Sequence, residues 1–175
     1  RSGERTKFDD LSWLTKDGEI GAAIKTTLET TASNQILKDS LDQLDKLERT
    51  YPKAKLLVVN KDIQSAKSTN RLLRKMGRNA EIATSDDSAS AQQAIQRFKY
   101  GHSNILVSCQ IAYEGLDCKQ IKVVCLLTHI RSYPWILQAV SRGTRRDPNG
   151  PKDQVCHVFG LKDQKMQNVM DRIKD

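Results

Sequence analysis

The sequence predicts an α/β fold: a parallel sheet flanked by helices and preceded by a helical segment. Three observations predict it. From Lys55 onward, short apolar runs alternate with amphipathic stretches, the rhythm of βαβ units whose crossovers lay each strand parallel to the last. The runs are continuous rather than alternating, as expected where both faces of a sheet are covered. The stretches between them carry helix punctuation, with Pro134 at a start and Gly77 at a stop.

Residues 1–50 read as a helical lead-in or linker. Leu37, Leu41, Leu44 and Leu47 recur along one face of a helix over 34–49, and Tyr51-Pro52 ends it. The stretch 18–30 is a weaker helical candidate because its threonines lower propensity. Residues 51–175 form the α/β domain, with strands over 55–60, 81–84, 105–108, 123–127 and 155–159. The helix after the first strand buries Ala66, Thr69, Leu73 and Met76. The next opens on Ser90-x-x-Gln93, the pattern of a capping box, and buries Ala94, Ile95 and Phe98. Pro134 suits the first turn of the helix that carries Gln138 and Arg142. A last helix buries Met166, Val169, Met170 and Ile173.

The totals bound the function. At 175 residues the chain is one domain of ordinary size. Its formal charge of +8 favours a polyanionic partner. No apolar run approaches the ~20 residues of a membrane span, and no signal-peptide pattern opens the sequence. The chain begins at Arg1 rather than Met, which points to a piece of a longer protein. Cys109, Cys118, Cys125 and Cys156 form no C-x-x-C pair, and His102, His129 and His157 are not spaced with them as zinc ligands. A reducing, cytoplasmic compartment and no metal held by this chain's own residues are therefore expected.

The densest chemistry lies in Gln138-Ala139-Val140-Ser141-Arg142-Gly143-Thr144-Arg145. Two guanidiniums three residues apart stand on adjacent sides of one helical turn, or at its exit, and can reach one anion. Each presents a fork of donors that matches phosphate oxygens. The plainer alternative is a solvated basic helix end that complements the helix dipole. Upstream, Ile105-Leu106-Val107 reads as a buried strand, and Ser108-Cys109-Gln110 follows where it should end. Gly115 and Asp117 come next. In open α/β sheets, ligands gather at the carboxyl ends of strands, and all these groups are expected there.

With both stretches in view, the chain resembles the second RecA-like domain of superfamily 2 helicases and translocases. Ile105 to Asp117 looks like motif V of that family, in the branch that reads Glu-Gly-Leu-Asp. Gln138 to Arg145 looks like motif VI, and Lys55 to Asn60 looks like motif IV. The resemblance covers Lys55 to the C-terminus. Ser141 stands where the family usually has Gly. Cys109 stands where many members have a Thr that contacts the nucleic-acid backbone, which leaves Ser108 and Gln110 as substitutes for that contact.

The resemblance implies that an upstream RecA-like domain of the same polypeptide holds ATP and magnesium. Arg142 and Arg145 would reach the γ-phosphate, Gln138 would orient or sense the nucleotide, and Gly115 with Asp117 would couple nucleotide and nucleic-acid sites. Asn60, Lys61, Ser108, Cys109 and Gln110 would face the phosphates of DNA or RNA, most readily a single strand. The chain supplies only half of such a site. Gly21-Ala22-Ala23-Ile24-Lys25-Thr26 lacks the Gly before Lys that a phosphate loop needs, and no acidic pair follows a buried strand. The fragment alone is thus expected to be inactive. Two other classes stay open: a nucleic-acid-binding module without ATP coupling, and a basic scaffold for an acidic protein.

Overall fold

The computed structural model describes residues 10–11, 31–109 and 116–174. The elements in order are β1 (Asp10–Leu11), α1 (Thr31–Glu48), β2 (Lys55–Asn60), α2 (Ile63–Lys75), β3 (Ala80–Ala83) and α3 (Ser88–Tyr100). They continue with β4 (Ile105–Ser108), β5 (Ile121–Leu127), α4 (Tyr133–Thr144), β6 (His157–Gly160), β7 (Lys162–Asp163) and α5 (Gln164–Lys174). Five strands form one sheet in the order β3-β4-β2-β5-β6, every pair parallel. A two-residue parallel pairing joins β1 to β7 beside it. This is the expected α/β architecture, a RecA-like parallel sheet flanked by helices with a helical segment at the start.

Strand alternation divides the core. Leu56 and Val58 point with Ile105, Val107, Val123 and Cys125 toward a layer that holds Leu37, Leu41 and Leu44 of α1 and Ala66 and Leu73 of α2. Leu57 and Val59 point the other way, with Leu106, Val124 and Leu126, onto Ile95 and Phe98 of α3, Ile136 and Val140 of α4, and Met166 and Val169 of α5. The leucine stripe of α1 is thus a full layer of the domain. Each fully buried Leu or Ile contributes about 1.5–3 kcal/mol by leaving water.

Local chemistry sets the helix ends. Gly77 adopts φ +81 after α2. Its N–H bonds to the Arg74 carbonyl and the Arg78 N–H to the Leu73 carbonyl, the double closure of a Schellman motif that a residue without Cβ makes accessible. Asp62 caps the start of α2 by accepting the Ser65 N–H at 2.7 Å.

Several sequence expectations need correction. Asp87, not Ser90, caps α3: its carboxylate accepts the Ser90 N–H, and the helix starts three residues earlier than a Ser90 cap implied. Met76 is exposed because it is the last residue before the Gly77 turn. The fifth sheet strand starts at His157 rather than 155, and Val155 is 62% exposed. Its apolar character misled because it precedes the edge strand instead of joining it. The helix candidate over 18–30 lies outside the described residues. No helix among the described residues is long and apolar enough to cross a membrane.

Candidate functional site

All five sheet strands run the same way, so the sheet has a carboxyl edge and an amino edge. Each helix between strands carries the chain back across. The helix α4 starts at the carboxyl edge after β5 and ends beside the amino edge. Lys122, the second residue of β5, accordingly meets the end of α4: its Nζ donates to the Arg145 carbonyl.

The inner face of α4 is small. Ala139, Val140 and Gly143 are buried against the sheet. A Cβ on Gly143 would overlap Cys156 Sγ and come within 3.2 Å of Val124 Cγ2, so glycine is what lets the helix lie this close. The outer face presents an open groove of about 720 Å³ lined by Pro134, Trp135, Gln138, Ser141, Arg142 and Arg145. Trp135 packs on the core beside it. Gln138 is exposed on the groove wall.

The two arginines converge with the segment before β5. Arg142 Nη1 donates to the Leu116 carbonyl at 3.0 Å. Arg145 Nη1 stands 2.7 Å from Asp117 Oδ1, with the two side chains 47% and 52% exposed. Residues separated by some twenty-five positions, proposed from sequence as one site, are thus brought together. An exposed pair of this kind contributes only about 0–1 kcal/mol, so it opens at little cost to stability.

The expected place of Asp117 is corrected. It lies not at the carboxyl edge with Ser108 and Cys109 but near the start of β5. It shares a groove with Lys55, Asn79 and Asn104, which sit at or just before the starts of β2, β3 and β4. Gly115 and Gln110 lie outside the described residues.

At the carboxyl edge, β2 and β4 are neighbours and Val59 pairs with Ser108, so Asn60, Lys61, Ser108 and Cys109 are brought together. Their side chains are less available than the sequence suggested. Ser108 is fully buried, and Asn60 is buried with Nδ2 donating to Thr69 Oγ1 at 2.9 Å. The apolar sheet interior extends one residue past the point where polarity starts. Lys61 is partly exposed, its ammonium 3.4 Å from Asp62. Burial pushes the Cys109 thiol up, so it stays protonated near neutral pH.

Sequence reasoning missed two features. Lys122 is only 2% exposed, and burial lowers its pKa against the pull of nearby groups that include Asp147. Asp147 is buried too. Its burial works upward, but the Tyr51 hydroxyl and the Asn149 N–H outweigh it, and the carboxyl titrates below its usual range. A lone Lys at the head of an apolar run, and an Asp-Pro-Asn-Gly turn after the arginines, were the only signals. Among the described residues no group of three metal-ligating side chains is assembled, and all four cysteines are free thiols.

Residues 36–147 match the model of the helicase conserved C-terminal domain, a span that contains most of α1, every strand of the five-stranded sheet but β6, and both arginines. The Saccharomyces cerevisiae protein IRC3, an ATP-dependent helicase by name, is 30% identical over 140 residues, 79% of this chain and 19% of IRC3. The chain therefore spans about a fifth of that relative. Among solved structures, a Vibrio vulnificus fragment described as an HsdR subunit of a type I restriction enzyme superposes with a TM-score of 0.58. It is 24% identical, covering 93% of this chain and 32% of that one. The Escherichia coli DEAD-box protein SrmB superposes at 0.55 with 19% identity over 78% of each chain. At these identities the structures speak for the fold alone. The chain has a RecA-like fold and belongs to the helicase conserved C-terminal domain family.

Proposed function

We propose that this domain is the C-terminal lobe of an ATP-dependent DNA or RNA helicase or translocase. In this reading Arg142 and Arg145 are arginine fingers that act on ATP held with magnesium by an upstream lobe. The observation that carries it is the convergence of Arg142 on the Leu116 carbonyl and of Arg145 on Asp117, beside an open groove. ATP with magnesium supplies the phosphoryl group whose transfer to water drives the cycle. The residues present suit such a group: two forked cations and the exposed Gln138 amide line one groove, and the carboxylate now on Arg145 is replaceable by a phosphate oxygen. Charge that builds on the γ-phosphate during transfer is what a guanidinium stabilises.

The fragment provides no phosphate loop, so the expectation is that it does not turn over ATP by itself. Lys61 and Cys109 at the carboxyl edge, together with Gln110, are proposed to meet the nucleic-acid backbone, Asn60 and Ser108 through their main chain. Backbone contacts of this type position a strand without reading sequence.

The test is steady-state ATPase of the full-length protein carrying Arg142→Ala or Arg145→Ala. Turnover should fall by roughly 10³–10⁵ with the thermal midpoint unchanged. Near-normal ATPase with both arginines removed would sink the reading. Arg146→Ala is the control, since that exposed side chain only reaches the Lys152 carbonyl.

A further inference from the structure

We infer that Lys122 is a positioning residue for Arg145, an inference that rests on the arginine-finger reading. Lys122 lies in a strand whose every residue is buried. An ammonium there loses hydration and must regain it from partners. Its Nζ donates to the Arg145 carbonyl, one of the orphan acceptors at the end of α4. The chain leaves α4 at Arg145 in an extended conformation, φ −70 and ψ 131, with none of the left-handed closure that ends α2. A buried cation does the capping instead, and its charge also complements the helix dipole.

The chain is gripped again two residues on. The Asp147 carboxylate accepts the Tyr51 hydroxyl and the Asn149 N–H. The Gln154 amide accepts the Asp147 N–H at 2.9 Å and donates to its carbonyl at 2.7 Å. Arg145 is thus fixed by its own carbonyl on one side and by a buried carboxylate on the other. Its side chain has little left to choose but a rotamer, and in the observed one the guanidinium meets Asp117. A buried charge is weak evidence for a contribution to stability. What Lys122 supplies here is the place from which Arg145 reaches.

The test uses full-length protein and a double-mutant cycle. Lys122→Met keeps the apolar stem and removes the ammonium. A misplacement of about 1 Å can cost roughly 10²-fold in rate, so kcat for ATP should fall about 10–100-fold while KM for ATP moves less than about threefold. In an Arg145→Ala background the same substitution should cost nothing further, because the two act as one unit. Full turnover in Lys122→Met, or a further loss on top of Arg145→Ala, overturns the inference; the second result would make Lys122 a general stabiliser. Normal turnover in Arg145→Ala alone would instead bring down the finger reading. Should Lys122→Met lower the thermal midpoint into the assay range, Tyr51→Phe decides. It removes one hydroxyl from the same clamp, should lower kcat severalfold, and should have no effect beside Arg145→Ala. Unchanged kcat in Tyr51→Phe would then overturn the inference.

Discussion

The two edges of the sheet hold polar residues for opposite ends. At the amino edge, Arg145 and Asp117 are half-exposed charges, while the backbone at Arg145 is held through its carbonyl by Lys122 and, two residues on, through the Asp147 N–H by Gln154. At the carboxyl edge the polar side chains themselves turn inward: Asn60 bonds Thr69, and Ser108 is fully buried. The first edge has a hydrogen-bonded frame that displays exposed charge. The second has polar side chains consumed by the frame. A residue's chemistry is therefore available only where something else satisfies the backbone beneath it.

The strongest way to break this comparison is to keep charge and remove geometry. Arg145→Lys in the full-length protein should lose most of what Arg145→Ala loses, roughly 10³-fold or more in ATP turnover, because an ammonium lacks the planar fork. Turnover within about tenfold of wild type would reduce the site to a point charge.

The next effect is on the frame. Gly143→Ala pushes a methyl onto Cys156 and Val124, and overpacking of this kind costs about 1–3 kcal/mol. Chemical denaturation should show it as a lowered midpoint. An unchanged midpoint would mean that Cys156 swings aside and that α4 is less tightly seated than its contacts imply.

At the carboxyl edge, Asp62→Ala removes the α2 cap and should cost about 0.5–2 kcal/mol at neutral pH. The Ser65 N–H, foremost among its contacts, holds the Asp62 carboxyl below its ordinary value of 3.8. Because the folded pKa is depressed, the stabilisation is present above that value and is lost as pH falls through the folded one. The gap between wild type and variant should therefore close in acid. A gap that widened there would assign the cap to another group.

The smallest effect sharpens the nucleic-acid assignment. If Lys61 neutralises one phosphate, Lys61→Ala in the full-length protein should lower the slope of log affinity against log salt for a single strand by about 0.7. An unaltered slope would remove Lys61 from the contact and leave the carboxyl edge with main-chain groups.

Much of this molecule is legible in the sequence, and the failures share a cause. The strands over 55–60 and 105–108 coincide with β2 and β4, because continuous apolar runs of that length have few other places to go. Arg142, Arg145 and Asp117 were singled out by residue type and spacing, and the fold brings them together. Missed were the groups whose role depends on a neighbour distant in sequence. Lys122 looks like a strand flank until Arg145 arrives above it, and Tyr51 looks like a helix terminator until Asp147 does. The placement of Asp117 failed for the same reason: polarity marks where a strand ends, not which edge the chain returns to. Val155 failed differently, since an apolar residue next to an edge strand has no neighbour to pair with.

The strand order carries a consequence for how the domain comes to exist. The central strand β2 is the first strand of the five-stranded sheet to leave the ribosome, yet its two neighbours are β4 and β5. Leu57 pairs with Leu106 on one side and Val124 on the other. Until both have been synthesised, this strand, buried along its whole length in the finished domain, has two open edges that any other chain can pair with. Closing such long loops before any pairing rewards them makes folding slow. Assembly is correspondingly late and cooperative. The segment that closes the central strand, β5, also delivers Lys122, so a molecule that has finished its sheet has already set the seat for Arg145.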